Sequence, residues 1–106
     1  MDISDWRKKI DELDRRLVEL LNERAAAASA IGRLKRNTDL PIYEPERERQ
    51  VIANAQNCNA GPLEGQDLAR IYERIMDVMR NIQKHEIAPD PGPSSRETEL
   101  DSQLED

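Results

Sequence analysis

The first third of the sequence carries an apolar residue every three or four positions. The members of this seam are Ile3, Trp6, Ile10, Leu13, Leu17, Leu20, Ala27, Ile31 and Leu34. Such a period predicts one amphipathic helix. A helix of roughly 33 residues is about 50 Å long, which is too long to pack inside one small globule. We therefore expect the seam to be buried against a second chain.

One position of the seam is charged. Arg24 lies midway between Leu17 and Ile31, so its guanidinium faces the same way as the apolar side chains. A cation on a buried stripe is costly unless an anion neutralises it. Arg24 therefore either forms an ion pair with a carboxylate on a facing helix or binds an anionic ligand.

The rest of the pattern predicts an all-α chain of three helices. The first helix covers about 4–36 and contains Gly32, which would permit close approach of another backbone. The second begins near Pro45, a favourable residue for a first turn, and ends among the helix-breaking residues of 57–62. The third covers about 64–86, with one apolar face.

The charge divides the chain into a helical domain, 1–87, and an acidic tail, 88–106. The domain holds 15 Lys/Arg and 16 Asp/Glu, whereas the tail holds one Arg and six acids. A nearly neutral domain argues against nucleic-acid binding. The tail contains prolines and serines without apolar periodicity, so we expect it to be disordered. It could be a solubilising extension or a linker to another domain.

Composition excludes several classes of protein. Only 37% of the residues are hydrophobic and phenylalanine is absent, so a monomer would have little core. Cys58 is the single cysteine, which excludes a disulfide framework and a thiolate metal site. The sequence has no apolar run of signal-peptide or transmembrane length. We expect a cytoplasmic protein without a membrane partner, and a homodimer.

Cations on the first helix suggest a pocket shared between two chains. Arg7 and Lys35 lie beside the seam but about 42 Å apart along the helix, too far to hold one small ligand within a chain. In a two-fold dimer with antiparallel long helices, Arg7 of one protomer could approach Arg24 and Lys35 of the other. Three such cations would suit a ligand with two carboxylates.

The second and third helices add further candidates for this pocket. Glu44, Arg47 and Glu48 share a stripe with Val51 at the three/four spacing, so they project toward whatever Val51 packs on. An internally paired first-turn charge cluster would explain the acids but explains an inward arginine less well. Gln83 lies at the end of the apolar face of the third helix, where a glutamine alone would be an ordinary boundary residue.

Taken together, these segments resemble the all-helical chorismate mutases. The similarity covers about 5–86, and the residues that carry it are Trp6-Arg7-Lys8-Lys9-Ile10-Asp11-Glu12-Leu13-Asp14, Leu20-Leu21-Asn22-Glu23-Arg24, Ile31-Gly32-Arg33-Leu34-Lys35 and Pro41-Ile42-Tyr43-Glu44-Pro45-Glu46-Arg47-Glu48, with Gln83 following. The resemblance implies an intertwined antiparallel homodimer of three-helix subunits. It also implies rearrangement of chorismate to prephenate in aromatic amino acid biosynthesis, without metal or cofactor.

The resemblance also implies a role for each candidate residue. Catalysis would come from holding the dianion in its reactive conformer and stabilising charge at the breaking ether bond. The partner's Arg7, with Arg24, would bind the carboxylates. Lys35 and Gln83 would donate to the ether oxygen, and Glu48 would accept the substrate hydroxyl. Arg47 would contact the substrate or brace the acids. Glu44 stands at a position usually held by an aspartate in the family, and Met79 would contribute only to the shape of the pocket.

Two alternatives remain open at the level of the sequence. Isochorismate-pyruvate lyases, which form salicylate, share the fold and most of the cationic pocket, but typically lack an acid at the position of Glu48. A non-catalytic helical dimerisation or regulatory module would be the default interpretation of the composition alone. In that module Arg24 would only fix the pairing of helices.

Overall fold

The computed structural model describes residues 1–87, which form three α-helices and no strand. α1 spans Ile3–Lys35, α2 spans Pro45–Cys58 and α3 spans Gly65–Ile87. The all-α prediction is confirmed, while the predicted tail, 88–106, lies outside the described residues. None of the three helices is long and apolar enough to cross a membrane.

α1 begins at Ile3 with a capping box formed by Asp2 and Asp5. The Asp5 backbone N–H donates to Asp2 Oδ1 at 2.9 Å, and the Asp2 N–H donates to Asp5 Oδ2 at 3.1 Å. This reciprocal arrangement satisfies donors that the first turn of a helix leaves unpaired. At its other end, the Arg36 N–H bonds to the Gly32 carbonyl before the chain turns toward α2.

α3 packs against both other helices, whereas α1 and α2 do not pack on each other. α1 and α3 approach each other closely at Gly32, where an added Cβ would lie 3.0 Å from Gln83 Cα and 3.0 Å from Glu86 Cβ. No side chain larger than hydrogen fits there without moving one helix. The close backbone approach predicted at Gly32 is therefore confirmed.

Glu86 joins the last turn of α3 to the end of α1. The Ser29 hydroxyl donates to Glu86 Oε1 at 2.5 Å, and Arg33 Nη1 lies 3.6 Å from the same oxygen. Arg36 donates to the Glu86 main-chain carbonyl. Because these contacts lie within one turn of Gln83, they help to fix where the carboxyl-terminal part of α3 sits on α1.

The amino-terminal half of α1 makes little contact with the rest of the chain. Every residue from 1 to 20 is exposed, including Trp6 at 57% and Leu20 at 59%. Among the described residues, the buried apolar side chains are Ala28, Met76 and Met79, all around the α1–α3 contact. The long apolar seam is thus largely uncovered within one chain.

Candidate active site

A cavity of about 380 Å³ lies where the carboxyl-terminal half of α1, the start of α2 and the carboxyl-terminal half of α3 converge. All the predicted site residues except Arg7 line it. The lining residues are Arg24, Ala27, Ala28, Ile31, Lys35, Ile42, Glu44, Arg47, Glu48, Val51, Met76, Met79, Arg80 and Gln83. Its walls combine apolar side chains with a ring of charges, as expected of a site for a small charged molecule.

Lys35 is the charged side chain most deeply enclosed at this site, with 6% of its surface exposed. Its ammonium donates to Gln83 Oε1 at 3.0 Å and to the Ile42 carbonyl at 3.4 Å, and it lies 3.5 Å from Glu44 Oε2. These three oxygens compensate a charge that would otherwise be costly to bury. Gln83 uses its amide oxygen on Lys35, which leaves its two amide N–H donors for another acceptor.

Glu44 occupies the N-cap position of α2 but makes no side-chain capping bond. Pro45 is the first helical residue and needs no N–H partner. The Glu44 carboxylate instead turns toward Lys35, so the acid contributes to the charge balance of the pocket rather than to the helix start.

Arg24 lines the pocket about three turns before Lys35 and is half-buried. Within residues 1–87 no carboxylate lies within ion-pair distance of its guanidinium, so the helical domain supplies no facing acid. An acid from the described part of the same chain, 1–87, is therefore excluded as the partner of Arg24. A ligand anion or an acid of a second chain remains.

The first turn of α2 brings Arg47 and Glu48 to the pocket, as the shared stripe with Val51 predicted. Arg47 is exposed and donates to Gln50 Oε1 at 3.0 Å. Glu48 is more enclosed, with 21% of its side chain exposed, and its Oε2 lies 2.8 Å from Arg80 Nε. The two pocket acids, Glu44 and Glu48, are therefore paired with Lys35 and with Arg80 of α3, whereas Glu46 pairs with Arg49 on its own helix.

Arg80 is a pocket residue that the sequence reasoning missed. Besides Glu48 it contacts Asp77, and its guanidinium carbon lies 5.3 Å from the centre of the Tyr43 ring. The signal was present, because Arg80 lies one turn from both Met76 and Gln83 and so shares their side of α3. This signal was not decisive, because an arginine beside an apolar stripe commonly keeps its charged end in solvent.

Arg7 does not reach this pocket. It lies on the exposed amino-terminal half of α1, 17 residues and about 26 Å along the helix from Arg24. A single chain therefore does not bring Arg7 together with Arg24 and Lys35, and their meeting across two chains stays a prediction.

The charges that line the pocket do not cancel. Four cations, Arg24, Lys35, Arg47 and Arg80, stand against two acids, Glu44 and Glu48, which leaves a net charge of +2. This excess of positive charge in a concave site favours a ligand with two negative charges. Arginine also offers the fork geometry that matches a carboxylate.

Comparison with known proteins agrees with this geometry. The family model for chorismate mutase type II matches residues 6–84. The chain is 34% identical over 87 residues to a bifunctional chorismate mutase/prephenate dehydratase of Aquifex aeolicus, and 40% identical over 75 residues to the protein of the same name from Pseudomonas aeruginosa. These alignments cover 78% and 66% of this chain but 24% and 20% of those proteins.

A shorter relative is aligned over most of its length. The chain is 26% identical over 83 residues to a chorismate mutase of Methanocaldococcus jannaschii, an alignment that covers 77% of this chain and 84% of that protein. The chain thus spans about a quarter or less of the bifunctional relatives and most of this one. Since the family model matches most of the described helices, the chain belongs to the chorismate mutase type II family.

Proposed function

We propose that this chain is a chorismate mutase of aromatic amino acid biosynthesis, an isomerase that rearranges chorismate to prephenate. The observation that carries the proposal is the Lys35–Gln83 pair, 3.0 Å apart in a pocket of net charge +2. In the reaction an ether C–O bond breaks while a C–C bond forms within the same molecule. No atom, proton or electron leaves the substrate, so the protein must act through conformation and electrostatics.

Lys35 and Gln83 are suited to the ether oxygen, where negative charge grows as the C–O bond breaks. The Lys35 ammonium is held in place before the substrate arrives, and preorganised donors need no reorganisation during the reaction. The amide N–H groups of Gln83 supply a second donor beside it. Both donors therefore interact more strongly with the transition state than with the substrate, which is the condition for raising kcat.

The remaining pocket residues would select and hold the reactive conformer. Arg24 has no acid within ion-pair distance among residues 1–87 and is the natural partner of one substrate carboxylate. Glu48 lies on the α2 side of the pocket, where it can accept the substrate hydroxyl. Arg47 would contact the substrate from the exposed rim of the pocket. Glu44 would act indirectly, by holding the Lys35 ammonium in place. Met79 would contribute its buried side chain to the apolar wall.

We further propose that the active unit is an intertwined antiparallel homodimer with two shared sites. The exposed seam on α1 supports this, because apolar side chains from Ile3 to Leu20 lie outside the chain's own core. In that dimer the partner's Arg7 would complete each pocket with a second arginine for the dicarboxylate. Solution mass would test the dimer directly. The cytoplasmic location stays a prediction, which cell fractionation would test.

The test of function is loss of chorismate absorbance with the purified protein, with prephenate identified as the product. Isochorismate should be offered in parallel, because isochorismate-pyruvate lyases share most of this pocket. The acid at Glu48 favours the mutase. Salicylate formation from isochorismate with chorismate left intact would overturn the proposal in favour of the lyase. Failure to use either dianion would favour a non-catalytic dimerisation module.

A further inference from the structure

Arg80 is the one pocket cation to which the proposed mechanism gives no task. It lies on α3 between Met79 and Gln83, with 30% of its side chain exposed. Its Nε lies 2.8 Å from Glu48 Oε2, which makes an ion pair between α3 and α2. The Nε–H does not point at that oxygen well enough to count as a hydrogen bond, so the contact is mainly electrostatic.

Two further groups hold the Arg80 guanidinium in position. Asp77, one turn earlier on α3, contacts its terminal nitrogen, and the Tyr43 ring lies 5.3 Å from its central carbon. An acid on one side and an aromatic face on the other restrict a side chain that would otherwise move freely. Arg80 is therefore braced from its own helix and from the loop before α2.

This arrangement leaves one oxygen of Glu48 for a ligand. Oε2 is the oxygen that faces Arg80, so a ligand hydroxyl can donate to Oε1 without displacing the ion pair. Glutamate has three rotatable bonds, and fixing them in advance removes an entropic cost from binding. The positive charge of Arg80 also compensates a carboxylate that is only 21% exposed.

We propose that Arg80 is a positioning residue that orients Glu48 toward the substrate hydroxyl. This inference rests on the proposed function, since it assigns Arg80 an effect on the same reaction through another residue. Arg80 does not need to touch the substrate. Its contribution to catalysis must therefore disappear when Glu48 can no longer be held by charge.

A double-mutant cycle tests this dependence. We would measure kcat/KM for the wild type, Arg80→Met, Glu48→Gln and the double variant, because a cycle isolates the interaction between two residues. Methionine keeps the apolar bulk of arginine, and glutamine keeps an oxygen that can accept the hydroxyl. We expect Arg80→Met to lower kcat/KM about 10- to 100-fold when Glu48 is present. In the Glu48→Gln background it should change kcat/KM less than about 3-fold.

Arg70→Met is the matched control. Arg70 is on the same helix and has the same spacing to an aspartate, Asp67, at 3.8 Å, but it is 76% exposed and does not line the pocket. It should leave kcat/KM unchanged. Arg80→Lys should fall between wild type and Arg80→Met, because lysine keeps the charge but lacks the fork that reaches two acids.

A second double-mutant cycle, measured on stability, separates an effect of Arg80 on folding from an effect on the orientation of Glu48. Urea unfolding of the same four proteins should show coupling between Arg80 and Glu48, and every kcat/KM value would be taken where circular dichroism shows a folded chain. If Arg80→Met lowers kcat/KM equally with and without Glu48, Arg80 acts on the substrate or the fold directly and the inference is overturned. A wild type without chorismate turnover would instead remove the proposed function, and this inference with it.

Discussion

At the scale of single residues, Lys35 shows how the cost of burying a charge is compensated by neighbouring oxygens. Lysine is rarely buried unless it is paired. Here a glutamine of α3 surrounds it together with a carbonyl and a glutamate from the loop before α2. A substrate oxygen could replace or join these acceptors without leaving the charge unsatisfied at any stage.

Replacing this ammonium should remove most of the proposed catalysis. We expect Lys35→Met to lower kcat about 100- to 1000-fold, the usual cost of losing one preorganised donor at a developing anion. Lys84→Met, an exposed change on α3, provides the control and should leave kcat unchanged. The measurement is chorismate consumption at saturating substrate. A Lys35→Met enzyme with wild-type kcat would remove Lys35 from the mechanism.

Arg24 gives a second prediction at this scale. Arg24→Ala should leave a folded dimer but lower kcat/KM at least about 100-fold, because a bidentate carboxylate contact is lost while a costly cation is also removed from the seam. Arg16→Ala, an exposed change on the same helix, is the control. Activity would be compared with solution mass. Weakened pairing with unchanged kcat/KM per dimer would instead assign Arg24 to the helix interface.

At the scale of elements, the α1–α3 contact at Gly32 sets the geometry of the proposed donors. Gly32 faces the backbone of Gln83, one turn before Lys35 on α1. Because the two helices touch there, the distance between Lys35 and Gln83 depends on backbone packing as well as on the two side chains. The bonds of Ser29 and Arg36 to Glu86 fix the same pair of helices from the other side.

A methyl group at Gly32 should therefore disturb both stability and activity. Gly32→Ala would place Cβ 3.0 Å from Gln83 Cα and 3.2 Å from its carbonyl oxygen. Overpacking of this kind costs about 1–3 kcal/mol, which should outweigh the gain of about 1 kcal/mol in helix propensity. We expect a lower urea midpoint and a lower kcat.

The control for this prediction is Gly65→Ala at the start of α3. There the new Cβ would be 3.7 Å from Gln56 Nε2, an ordinary contact, so the free energy of unfolding should change by less than about 0.5 kcal/mol. A Gly32→Ala protein that is more stable than wild type would show that the helices can separate at no cost.

At the scale of the whole molecule, a single chain leaves the apolar seam of α1 exposed to solvent. The described residues bury three apolar side chains well, while Trp6, Ile10 and Leu17 on α1 are each more than half exposed. A domain of this size depends on a continuous core for its few kcal/mol of stability. The proposed dimer would supply that core and bring the partner's Arg7 to the pocket, so folding and catalysis would depend on the same contact.

A charge placed on the seam should consequently affect both properties. Leu17→Glu should convert the dimer into a poorly folded monomer and abolish chorismate turnover, since a buried unpaired carboxylate opposes association. Arg15→Glu places the same acid on the opposite face of α1 and should preserve both. Mass in solution, helicity and kcat/KM would be recorded together. A Leu17→Glu monomer that remained active would exclude a site shared between chains.

Some of the pocket was predictable because helical spacing is local. The three/four period assigns Arg24 and Lys35 to one helix, and it groups Glu44, Arg47 and Glu48 on one side of another. Arg80 was missed because spacing along α3 alone does not show that an acid on α2 lies opposite. The pairing of Glu44 with Lys35 was not predicted either, since a first-turn acid is equally compatible with the helix dipole.

The sequence by itself determined the three helices, the length of α1, the apolar seam and the residues that carry the resemblance to its family. These follow from backbone hydrogen bonding and side-chain periodicity, which depend on neighbours a few positions away. Only the tertiary structure decided which charges pair, that no acid of the three helices faces Arg24, and that Arg80 belongs to the pocket. Those facts depend on distances between helices, and packing at Gly32 sets such distances in ways that no local pattern records.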